Sequence, residues 1–139
     1  MKRFLFVALA ALPWLLAACA VQEPLPQPVE ITLEARDIAF GAPEVEVTLG
    51  QPVRLIFKNT GQLEHDFNVE TILVTRVKEE STGHGHNSGA TVALHVAAEP
   101  GGTARLEFTP LEPGTYFFYC STAGHQEAGM YGTLIVKDS

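Results

Sequence analysis

Three residues near the C-terminus and one far upstream have side chains that bind soft metal ions. Cys120, His125 and Met130 follow the spacing Cys-x4-His-x4-Met, and His65 lies in the first half of the chain. Thiolate and thioether sulfur suit the cuprous ion, whereas both oxidation states of copper accept imidazole nitrogen. These four residues therefore predict a site for one copper ion that cycles between Cu(I) and Cu(II).

The two cysteines of the chain, Cys19 and Cys120, would suggest a disulfide in an exported protein. Cys19, however, lies at the end of an N-terminal leader and is expected to be removed or acylated. Cys120 is then unpaired, and an unpaired thiol in an oxidising compartment needs an occupant such as a metal. The cysteine count thus also indicates Cys120 as a ligand.

Residues 1–18 have the composition of a secretory signal peptide, with two basic residues, an apolar run and small residues at the end. The run is interrupted by Pro13 and is shorter than the roughly 20 residues of a membrane-spanning helix. Leu16-Ala17-Ala18-Cys19 resembles a bacterial lipobox; in an ordinary signal peptide Cys19 would only be a small residue. We expect an exported protein, periplasmic or on the extracytoplasmic face of a bacterial membrane and lipid-anchored through Cys19.

The charge balance is acidic, with a formal net charge of −7 for the whole chain. Residues 1–18 contain Lys2 and Arg3 but no acid, so their removal takes the net charge to −9. This excludes nucleic acid as a partner, because phosphates require clustered Lys and Arg. It favours a partner protein with a positively charged surface at low salt.

The rest of the chain predicts a proline-rich tether over residues 19–29 and one domain over residues 30–139. Its hydrophobic residues alternate with polar ones in short runs, as in Val45 to Leu49, and Val53, Leu55 and Phe57 are set against Arg54 and Lys58. This is the period of half-buried strands. Glycine and proline turns separate these runs. The pattern predicts an all-β Greek-key β-sandwich of about seven to eight strands.

One stretch, Lys78–Gly89, contains no apolar side chain and is predicted to be an exposed loop; we call it the polar segment. It contains His84 and His86, and a His-x-His pair can hold a second metal. A solvated loop without metal is the simpler interpretation. His95, which alternates with apolar neighbours in a predicted strand, is assigned no role.

Beyond the four candidate ligands, the chain resembles the cupredoxins, the type 1 blue-copper family, and is most similar to its rusticyanin-like and auracyanin-like members. The resemblance covers most of residues 30 to 137. The matching segments are Pro43 to Asn59, Asn59-Thr60-Gly61, His65-Asp66-Phe67, Pro113 to Cys120, Gly124-His125, Gly129-Met130 and Gly132-Thr133-Leu134.

The resemblance implies that His65, Cys120 and His125 form a trigonal ligand plane, with Met130 at a longer axial distance. Many cupredoxins have asparagine directly after the first histidine, where it helps to fix the ligand loop, and this chain has Asp66. This departure bears on the reduction potential more than on copper binding.

The family resemblance predicts a monomeric single-electron carrier with redox protein partners in a respiratory or photosynthetic chain. The alternative is an exported protein that delivers or sequesters copper, but Met130 is the only methionine after the leader, whereas such proteins tend to expose several. No enzyme is expected, because copper nitrite reductases and multicopper oxidases need further copper ions and domains.

Overall fold

Ten β-strands form the regular structure of residues 26–85 and 91–138, the part of the chain that this computed structural model describes. No helix in that part has the length and hydropathy to cross a membrane. The strands are β1 (Val29–Arg36), β2 (Ala39–Phe40), β3 (Glu44–Thr48), β4 (Val53–Asn59), β5 (His65–Val69), β6 (Val74–Glu80), β7 (Leu94–Ala98), β8 (Thr103–Pro110), β9 (Gly114–Tyr119) and β10 (Tyr131–Lys137).

The strands form two sheets of five, in the orders β2-β1-β4-β8-β6 and β3-β10-β9-β5-β7. The β1–β4 and β3–β10 pairs are parallel, and the other pairs are antiparallel. The predicted all-β sandwich is confirmed, with ten strands rather than seven to eight. The additional strands are the two-residue β2 and the polar β6.

Alternating side chains of both sheets fill the space between them. In β4, Val53, Leu55 and Phe57 are buried while Lys58 is exposed. Burying each such side chain contributes about 1.5–3 kcal/mol. The Phe118 ring of β9 lies 5.0 Å from the Phe67 ring of β5. These two buried rings fill the core behind the predicted ligands.

The polar segment was predicted to be a loop throughout, and this is wrong for Lys78 to Glu80, which belong to β6. β6 pairs with β8 at the edge of its sheet, with a bulge between Thr75 and Lys78. Six of its seven residues are exposed, so it has no alternation of apolar side chains that the sequence could reveal. Its surface ion pairs, such as Lys78 to Glu80, use charged side chains instead.

Several N-terminal predictions lie outside the described residues. These are the signal peptide 1–18, the lipidation of Cys19 and the tether up to residue 25. The first strand begins at Val29, one residue before the predicted start of the domain, and the Val29 N–H donates to the Pro52 carbonyl. The domain boundaries stay predictions.

Three of the four predicted copper ligands occur where strands begin or end, and His125 lies in the loop between β9 and β10. His65 begins β5, Cys120 follows β9, and Met130 immediately precedes β10. Since β9 and β10 are antiparallel neighbours with Tyr119 opposite Tyr131, the flanking residues Cys120 and Met130 lie at the same end of the sandwich. The sheets therefore act as the frame for one site.

Candidate metal centre

Three donor atoms from separate parts of the chain converge at this end of the sandwich. The Cys120 Sγ lies 3.8 Å from the His65 Nδ1 and 3.5 Å from the His125 Nδ1. All three donors lie within 4.8 Å of one another, and all three residues are buried. Within residues 26–85 and 91–138, this is the one group of three or more His, Cys, Asp or Glu side chains whose donor atoms lie close enough together to hold a metal ion.

The spacing of these atoms fits a single metal ion. Sulfur and nitrogen donors bound at about 2.3 and 2.0 Å to one ion lie about 3.5 Å apart in tetrahedral and about 3.7 Å apart in trigonal geometry. The two sulfur-to-nitrogen distances, 3.8 and 3.5 Å, are close to these values. Thiolate with imidazole is also the donor set that copper prefers in electron-transfer sites.

A short ligand loop, residues 120–130, carries three of the four predicted ligands. The Cys120 N–H donates to the Met130 carbonyl, and the Met130 N–H donates to the His125 carbonyl. Gly124 and Gly129 adopt φ angles of 81° and 100°, which side chains with a Cβ rarely tolerate. The tight turns allow His125 to fold back over the sulfur of Cys120.

Met130 is fully buried and belongs to the same cluster. Its backbone bonds to Cys120 and His125 fix it between the end of the ligand loop and the start of β10. The structure therefore brings together all four residues that the sequence predicted as ligands.

Burial controls the protonation of the metal-free site. It lowers the pKa of His65, which keeps the ring neutral and able to offer a nitrogen lone pair. Burial also raises the pKa of the Cys120 thiol, against the hydrogen bonds from the Asp66 N–H and from Thr122. Since a metal binds the thiolate, binding releases the proton of Cys120.

Asp66 connects the ligand strand β5 to the ligand loop. One carboxylate oxygen accepts the Ser121 N–H at 2.6 Å, and the other accepts the Ser121 hydroxyl at 2.5 Å. An aspartate thus fixes the loop at the position where many cupredoxins use asparagine. The sequence identified the departure but not its partner.

Asn59 supports the turn that leads to His65. Its buried side chain donates to the carbonyls of Leu63 and Ala98 at 2.7 and 2.9 Å, and it accepts the Gly61 N–H at 2.9 Å. The sequence indicated a turn at residues 59–61. The structure adds that this turn is bonded to β7 beside the ligand.

A carboxylate that the sequence analysis missed lies next to the first histidine. Asp37, in the turn between β1 and β2, has its Oδ1 3.5 Å from the His65 Nε2. Nothing in the spacing of the chain relates residue 37 to residue 65. A lone aspartate between two strands is typical of an ordinary turn.

The described part of the polar segment, residues 78–85, does not contribute a donor to the cluster. The His84 side chain is 98% exposed, and its Nδ1 lies 3.8 Å from a Glu64 oxygen. His86 lies outside the described residues, so a second metal at this pair stays untested. His95 is mostly buried in β7, with its Nδ1 3.1 Å from the Glu79 carboxylate.

Comparison with known proteins agrees with this geometry. The sequence model of the cupredoxin-like domain family matches residues 6–136. A copper-resistant cuproprotein, CopI of Rubrivivax gelatinosus, is 31% identical over 100 residues, which is 70% of this chain. The chloroplastic plastocyanin minor isoform of Arabidopsis thaliana is 29% identical over 109 residues, or 78% of this chain.

The chain spans 59% of the length of the Rubrivivax protein and 58% of that of the plastocyanin. Among solved structures, reduced auracyanin from the photosynthetic bacterium Roseiflexus castenholzii superposes with a TM-score of 0.60 at 24% identity. The match covers 78% of this chain and 96% of the auracyanin, and it supports the fold. From its sequence and its fold, the chain belongs to the family of cupredoxin-like domains.

Proposed function

We propose that this chain is a single-electron carrier with one type 1 copper ion held by His65, Cys120, His125 and Met130. The observation that carries the proposal is the convergence of one sulfur and two nitrogen donors in a buried position. Bound there, copper supplies a one-electron couple between its cupric and cuprous states. The chain itself supplies donor placement, exclusion of water and a path to the surface.

The ligand loop supports a carrier because hydrogen bonds fix its backbone. Cys120, His125 and Met130 are joined by hydrogen bonds of 3.1 and 2.9 Å, and the loop is attached to the paired strands β9 and β10. A ligand set held in this way moves little when the charge of the ion changes. Small movement lowers the barrier to electron transfer.

Of the two ligand histidines, His125 lies nearer to solvent and gives the shorter path to the surface. It is 5% exposed, whereas His65 is fully buried. Around it, Ala123, Gly124 and Ala128 are exposed small residues that leave a smooth surface. We propose that redox proteins of a respiratory or photosynthetic chain dock here, aided by the acidic charge when their own surface is positive.

A second candidate is copper handling, which the name of the CopI relative favours. That relative is described as copper-resistant, and this chain spans only 59% of its length. A protein that passes copper on has to release it, yet all three strong donors here are buried. Release would require the ligand loop to open, which is why we favour the carrier.

We further propose that the chain is not an enzyme and that it is exported and anchored by lipid at Cys19. A carrier needs one metal and no substrate pocket, so one donor cluster is sufficient for it. Mass spectrometry of the membrane fraction tests the anchor. A diacylated N-terminal Cys19 is expected, and Cys19→Ala should release the protein from membranes; a full-length, unmodified chain contradicts the proposal.

The visible and paramagnetic resonance spectra of the cupric protein test the copper site. We expect an intense blue thiolate-to-copper band at one copper per chain. A pale spectrum, or copper that remains bound in Cys120→Ser with the same spectrum, contradicts the ligand assignment.

Repeated redox cycling in the presence of a strong cuprous chelator separates the carrier from copper handling. A carrier keeps its copper and its blue band through many cycles of reduction and reoxidation. Loss of copper to the chelator within the first reduction indicates copper handling instead.

A further inference from the structure

The turn between β1 and β2 lies beside the buried face of the first ligand histidine. His65 directs its Nδ1 toward the Cys120 sulfur, so its Nε2 points away from the donor cluster. That Nε2 is fully buried and has no hydrogen bond of normal geometry to any described residue. A buried ring N–H without a hydrogen-bond acceptor costs free energy, so a polar atom close to it is a candidate acceptor.

The polar group beside this nitrogen is the Asp37 carboxylate. Its Oδ1 lies 3.5 Å from the His65 Nε2, which is long for a hydrogen bond but within ion-pair distance. A movement of a few tenths of an ångström would complete the bond. Asp37 lies in the turn between β1 and β2, far along the chain from His65, so closeness in sequence does not explain the contact.

The same oxygen is held in place by the turn that follows β4. It accepts the Gln62 N–H at 2.8 Å and the Leu63 N–H at 3.2 Å. These two hydrogen bonds fix the carboxylate in direction, and an aspartate side chain is ordinarily ionised at neutral pH.

Gly61 makes the close approach possible. A Cβ at this position would overlap the Asp37 Oδ1 and would lie 2.9 Å from the Asp37 N. The φ angle of Gly61 is not in the left-handed region, so space rather than backbone conformation requires the glycine here. The turn is thus shaped around this carboxylate.

We propose that Asp37 is a positioning residue for the copper site, an inference that rests on the proposed function. Its carboxylate accepts the Nε2–H of His65, which leaves the Nδ1 lone pair for the metal. Its negative charge makes the imidazole a stronger donor and favours the cupric over the cuprous ion. Asp37 thereby lowers the reduction potential without touching the metal.

The size of the effect follows from the exposure of the carboxylate. Removing the partner of a metal-binding histidine changes metal affinity by roughly 10–100-fold. The Asp37 side chain is 42% exposed, and solvent screens part of its charge, so we expect the lower end of that range. A tenfold change in the cupric-to-cuprous affinity ratio equals about 59 mV for one electron.

Asp37→Asn tests the charge with little disturbance, because the amide oxygen can still accept the two turn N–H groups. We expect the cupric-to-cuprous affinity ratio to fall about tenfold, which raises the reduction potential. Asp138→Asn is the matched control, since Asp138 is exposed just after β10, at the end of that strand remote from Met130. Gly61→Ala, which keeps the charge but displaces it, should shift the potential in the same direction.

Proton resonance of the metal-free protein supplies a readout that needs no copper. The Nε2–H of His65 should appear downfield in the wild type and move upfield in Asp37→Asn, because a charge-assisted bond becomes a neutral one. A shift in potential no larger than that of Asp138→Asn, or an unchanged Nε2–H signal, overturns the proposal. A wild type that binds no blue copper but shows the proton shift refutes the proposed function and leaves the Asp37–His65 contact standing.

Discussion

The ligand loop and the polar segment both place histidine among glycines, but the structure uses them differently. In the ligand loop, His125 is buried and its backbone N–H donates to the Thr122 carbonyl. In the polar segment, the His84 side chain is almost fully exposed, and the nearby backbone is held by a Glu64 oxygen. Histidine and glycine in one short span are therefore not sufficient for a metal site.

What differs is the origin of the donors. The ligand loop faces a third donor from β5, so an ion there would bind side chains from distant parts of the sequence. No third donor of the described residues faces His84 in the same way. The comparison predicts that copper binding depends on the first region and is indifferent to the second.

The largest effect is expected from Cys120→Ser. Loss of the sulfur removes the donor that gives the blue band, so the absorption should disappear even if some cupric ion stays on the two histidines. The measurement is the visible spectrum at equal copper and protein concentrations. A blue Cys120→Ser protein would show that the cluster is not the chromophore.

A smaller loss is expected when the bond between β5 and the ligand loop is removed. Asp66→Ala leaves the Ser121 N–H and hydroxyl without their acceptors, which should cost about 1–3 kcal/mol in the free energy of unfolding. Urea denaturation of the metal-free protein measures this. Ser121→Ala removes only the hydroxyl bond and should cost less; equal costs would mean that the backbone bond does not contribute.

Met130→Leu should leave the fold and the copper in place while it raises the reduction potential. The two side chains have similar volume, so the cost in stability should stay under about 1.5 kcal/mol. Leucine donates no electrons to the cupric ion, which then loses stability relative to the cuprous ion. Leu106→Met, in the core of β8, is the control, and equal potentials in wild type and Met130→Leu would argue against an axial ligand.

The smallest effect is expected from His84→Ala combined with His86→Ala. Because His84 lies outside the donor cluster, the copper-to-protein ratio and the blue band should not change. Metal analysis after dialysis measures the ratio. A drop from two copper ions to one would establish a second site at this segment and would support copper handling.

Much of this fold could be predicted because its central strands are buried on one face. The period-two placement of Val53, Leu55 and Phe57, set against Arg54 and Lys58, requires one face of β4 to lie in the core. β6 was missed for the opposite reason, since an edge strand with both faces in solvent needs no such pattern. Lys78 to Glu80 are charged and exposed within this edge strand, and the sequence therefore predicted a loop there.

The sequence by itself identified the candidate ligands, because Cys120, His125 and Met130 are close along the chain and their side chains suit soft metals. Only the tertiary structure decided their surroundings. Strand register buries Phe118 and leaves Phe117 47% exposed, and a turn 28 positions away brings Asp37 to His65. Such contacts depend on how strands pair in space, and local spacing along the chain carries no information about that pairing.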